Sequence, residues 1–209
     1  EKKEATTLND VWSFWYAPRG RKIIDNDDYE NNLKKLGMYF QESQAIGKYS
    51  LTLGDVRTLE DFFSFYCFLK RPSETPVDNK LIFFRKSCRP MWEVKLDYFV
   101  TSPHQGWENG GCWIIQFKKH GAEELLNKTW ELLLFSCLSE ELEEPNQELN
   151  VIGVACSVRA KRNILEVWLR DVRDSEKMIA AGEKLRVALN LMPENLTFYF
   201  KEHSKSLKV

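Results

Sequence analysis

The stretch NVIGVACSVRAKRNILEVWLRD, residues 150–171, has the pattern of two β-strands joined by a short turn, and it decides how the rest of the chain is interpreted. If Lys161 and Arg162 form the turn, strand alternation divides the side chains between the two faces of a hairpin. One face is apolar and carries Val154, Cys156, Val158, Leu165, Val167 and Leu169. The other face carries Ala155, Ser157, Arg159, Ile164, Glu166 and Trp168. The hairpin therefore predicts a sheet with its core on one side and a tryptophan on the more polar side.

Trp168 on the polar face has two interpretations. A helix or loop can cover it as an ordinary core residue, or it can line a site above the sheet. The neighbouring Arg159, Lys161 and Arg162, taken alone, indicate a solvated basic turn. Combined with a tryptophan among small residues, they indicate a site for an aromatic ring and phosphate groups. The spacing alone leaves both interpretations open.

Further helices and strands are predicted on both sides of this hairpin. Helices are predicted at about 58–70, where Thr58 and Asp61 have capping-box spacing, at about 122–142, and at about 175–190 with Ser175 as the cap. Residues 19–47 show no strand pattern and are predicted to form a long loop with a short helix. Since helices and strands alternate irregularly, the predicted fold class is α+β. The other strands are predicted at 11–17, 48–56, 81–86, 111–119 and 196–202.

The composition argues against several classes of protein. The 209 residues are 43% hydrophobic with a formal net charge of −1, so the chain can bury one core and lacks the charge of a general nucleic-acid or membrane binder. Its five scattered cysteines, with no CxxC pair, indicate reduced thiols and argue against a zinc site. The sequence contains no apolar run long enough for a membrane span, and residues 1–10 do not resemble a signal peptide.

Seven segments, in their order and spacing, resemble the eukaryotic translation initiation factor 4E family. They are TLNDVWSFWYA, RTLEDFFSFY, RPMWE, NGGCWIIQF, NKTWELLLFSCLSEE, IGVACSVRAKRNILEVW and YFKEH. The resemblance covers nearly the whole chain and identifies it as a divergent member. It implies a single domain over residues 1–209, with a strongly curved antiparallel sheet of about eight strands and three helices on its convex back. The concave face of that fold grips the 7-methylguanosine cap of messenger RNA.

The resemblance implies roles for four residues. Because 7-methylguanine has a positively charged ring, an indole face stacks on it with an attraction of about 1–3 kcal/mol. Trp92 would be such a platform, and the carboxylate of Glu93 would accept hydrogen bonds from N1 and N2 of the guanine. Trp168 would touch the N7-methyl group, and Arg159 would reach the cap phosphates. Without the other segments, PMWE indicates only a turn with a half-buried tryptophan.

One aromatic position departs from the family pattern. The family has a second stacking tryptophan, but no tryptophan occurs between Trp15 and Trp92 in this chain. Tyr39, Phe40 and Tyr49 are the substitutes, and Tyr49 lies in a predicted strand that fixes its direction. Phe40 is favoured for the stack, since a sandwiched ring offers no partner to a phenol hydroxyl, and Tyr39 is then placed at the rim.

Two basic positions also depart from the family pattern. Cys112 occupies a place where an arginine is frequent, and Ile164 occupies a place where a lysine is expected. Arg162 or Lys161 would compensate by reaching over the turn. The resemblance still implies cap binding, while affinity and preference among cap forms depend on these substitutions.

A second surface is predicted on the helices. Residues 132–135 are consecutive apolar residues, which cannot all face one side of a helix, so some of them face outward. By resemblance, this surface takes a scaffold helix of the YxxxxLΦ type. The alternative is that these side chains cover neighbouring loops such as 19–47. Phe63 stands where the family has a tryptophan. The implied partner-binding residues are Leu8, Leu59, Phe63, Leu132 and Phe135.

The predicted function is binding of capped messenger RNA and recruitment of a scaffold protein of the initiation factor 4G type. The predicted protein is a monomer of the cytoplasm, with the nucleus as a second location, and it uses no metal or cofactor. One alternative is a translational repressor that binds the cap without recruiting a scaffold. The alternative from another class is a hydrolase of caps or nucleotides. No catalytic motif supports it, since His104, His120 and His203 lie in unrelated segments.

Overall fold

A single antiparallel sheet with helices on one face forms the protein. The computed structural model describes residues 5–18, 34–35, 55–88, 90, 109–118, 121–143, 151–191 and 196–203. The strands are β1 (Thr7–Pro18), β2 (Lys34–Lys35), β3 (Val56–Thr58), β4 (Asn79–Arg85), β5 (Gly111–Lys118), β6 (Val151–Val158), β7 (Arg162–Leu169) and β8 (Leu196–Glu202). Seven of them follow the order β2-β1-β4-β6-β7-β5-β8, and β3 pairs with β1.

Within the described residues, three α-helices accompany the sheet: α1 (Leu59–Tyr66), α2 (Glu123–Leu138) and α3 (Ser175–Ala188), with a short 3₁₀ helix at Pro72–Glu74. The prediction of an α+β fold with about eight strands and three helices is confirmed. None of the helices in the described ranges is long and apolar enough to span a membrane.

The β6–β7 hairpin corrects one prediction and confirms another. Val158 pairs with Asn163, so residues 159–161 form the connection and Arg162 already belongs to β7. The predicted turn at Lys161 and Arg162 is therefore wrong, and the pairing differs by two residues from the predicted one. Because side-chain direction repeats every two residues, this shift leaves each side chain on its predicted face.

The main core lies between the sheet and the helices. Aromatic rings of β1 and β4 pack directly on one another, with Trp12 stacked on Phe83 at 5.0 Å and Phe14 at 4.5 Å from Phe83. Side chains from all three helices join them, so one continuous cluster holds the helices on this face. Its members from the predicted apolar face of the hairpin are Val154, Cys156, Val158, Leu165, Val167 and Leu169.

The helix ends show which capping predictions are correct. The Thr58 hydroxyl accepts from the Asp61 amide at 3.0 Å, and the Asp61 carboxylate accepts from the Thr58 amide at 3.1 Å, so the predicted capping box is confirmed. The cap of α3 is Asp174 and not Ser175, because the Asp174 carboxylate accepts from the amides of residues 176 and 177. Helix α2 ends at Leu138, before the predicted end at 142, and Glu140 then takes a left-handed φ of 54°.

A glycine brings α3 close to the sheet. A Cβ built on Gly182 would lie 2.3 Å from Cζ2 of Trp113 on β5, so this position has no room for a larger side chain. The Trp113 indole donates to the carbonyl oxygen of Met178 at 3.2 Å. Trp113 is therefore one anchor of α3, in addition to the packing of Leu185 in the main core.

Two predicted segments fall mainly outside the described residues. Of the strand predicted at 48–56, the structure describes Asp55 and Val56, and Val56 begins β3. Of the loop predicted at 19–47, it describes Lys34 and Lys35, which form β2 by pairing with Tyr16 and Trp15. The short helix predicted within 19–47 is thus not found at residues 34–35, and the remaining positions lie outside the described residues.

Arg85 is the most completely buried charged residue of the described chain, with 1% of its surface exposed. Its guanidinium lies over the Trp12 ring, 4.6 Å from the centroid. Its Nε donates to the carbonyl oxygen of Val151 at 2.7 Å, while its Nη atoms pair with the carboxylates of Asp10 and Glu143. This arginine therefore joins β1, β4, β6 and the segment that follows α2.

We expect Arg85→Met to lower the free energy of unfolding by about 3 kcal/mol or more, because it removes a buried cation and leaves its partly buried carboxylates unpaired with it. Urea denaturation followed by far-ultraviolet circular dichroism measures the change. Lys86→Met is the matched control, since Lys86 forms a more exposed ion pair with Asp55 at 2.6 Å, and its loss costs at most about 1 kcal/mol. Equal effects of the two substitutions would contradict the structural role of Arg85.

Candidate functional site

The sheet face opposite the helices carries a second, smaller apolar cluster. Its members come from β1, β4, β5, β6, β7 and the turn after β4, and Trp168 is the largest of its buried side chains. The described helices pack on the other face, so this cluster lies on the side of the sheet that none of them covers. The buried members are Ala17, Ile82, Phe84, Cys88, Cys112, Ile114, Ile152, Ala155, Ile164 and Trp168.

Trp168 is fixed in place by contacts on several sides. The Phe84 ring meets it edge-on at 5.4 Å, and the His203 ring lies 4.6 Å from it. The Trp168 indole N–H donates to the Glu166 carboxylate at 3.4 Å, and 5% of the residue remains exposed. Within the described residues, these contacts come from β4, β7 and the residue after β8, so both interpretations left open by the spacing stay predictions. The same contacts fix the indole on the sheet face that none of the described helices covers, the helix-free face.

A lysine–glutamate pair lies beside Trp168. The Lys80 ammonium on β4 lies 2.6 Å from the Glu166 carboxylate on β7, and these side chains are only 19% and 14% exposed. Lys80 Nζ is also 5.5 Å from the Trp168 ring centroid. The pair thus connects two strands that are separated by β6.

The pKa of Glu166 reflects this pair. Burial by itself raises the pKa of the carboxyl, but the charge and hydrogen bond of Lys80, the Trp168 indole and the charge of Arg159 together lower it below its ordinary value. A lowered pKa in the folded state means that the stabilisation is present above the ordinary carboxyl pKa and is lost as pH falls through the folded value. At neutral pH the pair is therefore charged on both sides and has no net charge.

The two arginines predicted in the site have different surroundings. Arg159, in the β6–β7 connection, is half-buried, and its buried Nε has no hydrogen-bond acceptor among the residues that the structure describes. Arg162 is exposed, and its Nη1 donates to Oε1 of Gln116 on β5 at 2.6 Å. Gln116 Nε2 in turn donates to the Tyr199 hydroxyl on β8 at 2.7 Å. Arg162 is therefore directed towards β5 and β8, whereas Arg159 lies close enough to Glu166 to lower its pKa.

Cys112 and Ile164 make the middle of this face apolar. Both are buried in the cluster around Trp168. Burial raises the pKa of the Cys112 thiol to about 12, so the thiol is neutral at physiological pH. The two positions where the resemblance expects an arginine and a lysine thus carry no charge.

Four predicted site residues lie outside the described residues: Trp92, Glu93, Tyr39 and Phe40. Sequence reasoning missed the role of Lys80 and did not select Gln116 or Tyr199. Strand alternation in GCWIIQFKK and LTFYFKE could have placed Gln116 and Tyr199 on one face, but only if the pairing of β5 with β8 were known. Within the described ranges, no group of three or more histidine, cysteine, aspartate or glutamate side chains could hold a metal ion.

The helix side carries an exposed aromatic surface. Phe63 on α1 is 46% exposed, and its ring lies 6.2 Å from that of Phe135 on α2. Leu132 and Phe135 are partly buried while the residues between them are fully buried, so the apolar run divides between two sides of α2 as expected. Leu59 is half-buried and its amide donates to the carbonyl oxygen of Thr6 at 2.9 Å, close to the partly buried Leu8.

Comparison with known proteins decides the family. The family model described as Eukaryotic initiation factor 4E matches residues 7–209. The chain belongs to this family. That family is one of initiation factors and not of enzymes, so the prediction that this chain is not an enzyme is confirmed.

Curated relatives in the initiation factor 4E family match most of the chain. It is 28% identical to the initiation factor NCBP of Arabidopsis thaliana, over 94% of this chain and 73% of the relative. It is 27% identical to the initiation factor 4E1 of Drosophila melanogaster, over 92% of this chain and 61% of the relative.

Solved structures of family members have the same fold. The chain superposes on Ascaris suum eIF4E-3 in complex with the m7G cap with a TM-score of 0.74 at 22% identity, covering 98% of this chain and 94% of the other. For C. elegans eIF4E-3 in complex with the 4E-binding protein Mextli, the TM-score is 0.73 at 20% identity, covering 98% and 97%. The arrangement of sheet and helices is therefore that of the initiation factor 4E fold.

A double-mutant cycle tests the Lys80–Glu166 pair of this family member. Lys80→Met and Glu166→Gln each separate the pair, and we expect a coupling free energy of at least about 1 kcal/mol from urea unfolding of the four proteins. The more exposed pair Arg71–Glu131, at 3.8 Å and with both side chains 39% exposed, is the control cycle and should give less than about 0.5 kcal/mol. Equal coupling in the two cycles would contradict a structural role for the pair beside Trp168.

Proposed function

We propose that this initiation factor 4E family member binds the 7-methylguanosine cap of messenger RNA on the helix-free face of its sheet. The observation that carries the proposal is a rigidly held tryptophan, Trp168, near Arg159, whose charge acts on Glu166 and whose buried Nε has no acceptor among the described residues. An aromatic side chain beside an unsatisfied guanidinium suits a cationic base that carries phosphates. The cap complex of the related Ascaris suum protein supports the same assignment.

The phosphates of the cap are assigned to Arg159. A guanidinium offers five donors and matches phosphate geometry, and a buried donor without an acceptor is costly unless a ligand supplies one. Arg159 Nε is such a donor. Lys161 and Arg162 are exposed next to it and add positive charge. The substitutions at Cys112 and Ile164 leave this hairpin end as the main source of cations for the phosphates.

The guanine is assigned to Trp92 and Glu93, with Phe40 or Tyr39 as the second stacking partner. Trp92 follows β4 by seven residues, and β4 supplies Phe84, whose ring lies 5.4 Å from Trp168. Seven extended residues span at most about 25 Å, so the chain after β4 can bring Trp92 over this face. The cap would then contact Trp92, which follows β4, and Trp168 of β7, which packs against Phe84 of β4. These four assignments are predictions from the family pattern.

The Lys80–Glu166 pair suits a positively charged ligand. A lone ammonium 5.5 Å from the Trp168 ring would repel a cationic base, but the Glu166 carboxylate at 2.6 Å cancels its charge. The cap can therefore approach Trp168 without meeting a net positive charge there. The pair also keeps the indole N–H occupied, since Glu166 accepts from it.

We expect 7-methyl-GTP to bind at least about ten times more tightly than GTP, because neutral guanine loses the cation–π attraction and 1.4 kcal/mol is a factor of ten. Quenching of tryptophan fluorescence measures both affinities. Equal affinity for the two nucleotides would refute the proposal.

Glu93→Gln should weaken 7-methyl-GTP binding by about 1.5–3 kcal/mol without changing thermal stability. The control substitution Glu124→Gln, at an exposed position of α2, should change neither the affinity nor the thermal stability.

The proposed second activity is recruitment of a scaffold protein through the helix side. Phe63, at 46% exposure, lies between partly buried apolar residues of α1 and α2, and such a surface suits the apolar side of a partner helix. The Mextli complex of the C. elegans relative supports a protein partner. An exposed ring between apolar residues of two helices favours the scaffold-binding alternative over a repressor that does not bind a scaffold.

Phe63→Ala combined with Leu132→Ala should abolish binding of a YxxxxLΦ peptide and leave 7-methyl-GTP affinity intact, because the two surfaces lie on opposite faces of the sheet. Isothermal titration calorimetry with each ligand measures both. Ile179→Ala, at an exposed position of α3, is the control and should affect neither ligand. If the double substitution removes both activities while circular dichroism shows a folded protein, the assignment of separate surfaces is wrong.

A further inference from the structure

The helix-free face continues beyond Trp168 to an exposed tyrosine. Ile114 on β5 pairs with Glu166 of β7 on one side and with Tyr199 of β8 on the other, so these three residues lie in one row across the sheet. Two strand spacings of about 4.8 Å place Tyr199 on the order of 10 Å from Glu166. Tyr199 is 38% exposed and belongs to β8, the last strand of the sheet order.

A chain of hydrogen bonds fixes this tyrosine. Gln116 donates to its hydroxyl at 2.7 Å, and Arg162 donates to Gln116 at 2.6 Å. Both bonds run diagonally between neighbouring strands, since Gln116 pairs with Ile164 and Thr197 and not with Arg162 or Tyr199. An exposed ring whose hydroxyl is already bound loses little freedom when a ligand stacks on it. The arrangement therefore has the character of a pre-formed stacking platform.

The charges around the platform are positive. Strand alternation in β5, β7 and β8 places Lys118, Arg162 and Lys201 on the same face as Tyr199, and all three are exposed. Among the residues of these three strands on this face, the one carboxylate is Glu166, which pairs with Lys80. An aromatic ring surrounded by cations is the usual composition of a site for single-stranded nucleic acid.

We infer that Tyr199, Gln116 and Arg162 form a subsite for the nucleotide that follows the cap in messenger RNA. The base stacks on Tyr199, and its phosphate meets Arg162 and Lys118. This inference rests on the proposed cap binding at Trp168, because the row from Glu166 to Tyr199 gives the RNA its direction away from the cap. An acidic peptide would satisfy the cations but would not need an exposed ring held at its hydroxyl.

The test compares two ligands on the full chain: 7-methyl-GTP and the capped tetranucleotide m7GpppApApApA. Fluorescence anisotropy and tryptophan quenching give the affinities at one fixed salt concentration, since contacts to phosphates depend on salt. We expect Tyr199→Ala to weaken the capped tetranucleotide about tenfold, the loss expected for one base stacked on an aromatic ring, and to leave 7-methyl-GTP unchanged. Tyr199→Phe keeps the ring and should lose less than Tyr199→Ala.

Two controls make the outcomes distinguishable. Phe68→Ala removes another exposed aromatic residue, which follows α1 and is 85% exposed, and should change neither affinity. Gln116→Ala frees the Tyr199 hydroxyl and should weaken the tetranucleotide but not 7-methyl-GTP. If wild-type protein binds neither ligand, the proposed cap binding fails. If it binds both and Tyr199→Ala binds the tetranucleotide as wild type does, the subsite inference is overturned.

A third arm addresses an acidic protein partner as the occupant. Poly-glutamate is added as competitor to the complex with the capped tetranucleotide. We expect no displacement beyond that produced by the same ionic strength of salt. Poly-glutamate could instead displace the tetranucleotide from the wild-type protein beyond the salt effect. If Tyr199→Ala reduces that displacement, the platform is assigned to an acidic peptide and the inference is overturned.

Discussion

The burial of Arg85 is the constraint on which the rest of the structure depends. A buried guanidinium is tolerated only where carboxylates and carbonyl oxygens surround it, so the elements that supply them must meet at one place. Asp10 on β1, the Val151 carbonyl oxygen on β6 and Glu143 after α2 supply these groups. Strands β1 and β6 flank β4 in the sheet, and Glu143 joins the segment after α2 to Arg85 and to the Val151 amide. One cation thus links the centre of the sheet to the segment that follows α2.

Much of the fold could be predicted because its signals are local. The capping box at Thr58 is contained in four residues, and the two faces of the β6–β7 hairpin survived a pairing error because the error was two residues long. The cap of α3 failed for an equally local reason. Asp174 and Ser175 are adjacent and are both good caps, so the sequence alone does not choose between them.

The candidate site was only partly predictable, because its contacts join distant parts of the chain. Gln116 and Tyr199 are 83 residues apart in sequence, and their hydrogen bond depends on strand pairing that no local pattern encodes. The pairing of Lys80 with Glu166 depends on the same kind of information. Trp168 was identified through strand alternation. Trp92, Glu93, Phe40 and Tyr39 stay predictions, since they lie outside the described residues.

Strand β4 carries one cation for each face of the sheet: Arg85 towards the helices and Lys80 towards the open face. This arrangement has a consequence for folding. A mispaired sheet in which β4 slipped by one residue would turn both cations to the wrong sides, each away from its carboxylates and next to apolar side chains. Such competing sheets are penalised twice, once on each face. The ion pairs of these two cations therefore help to select the native alignment among compact states, whatever their net contribution to the stability of the finished fold.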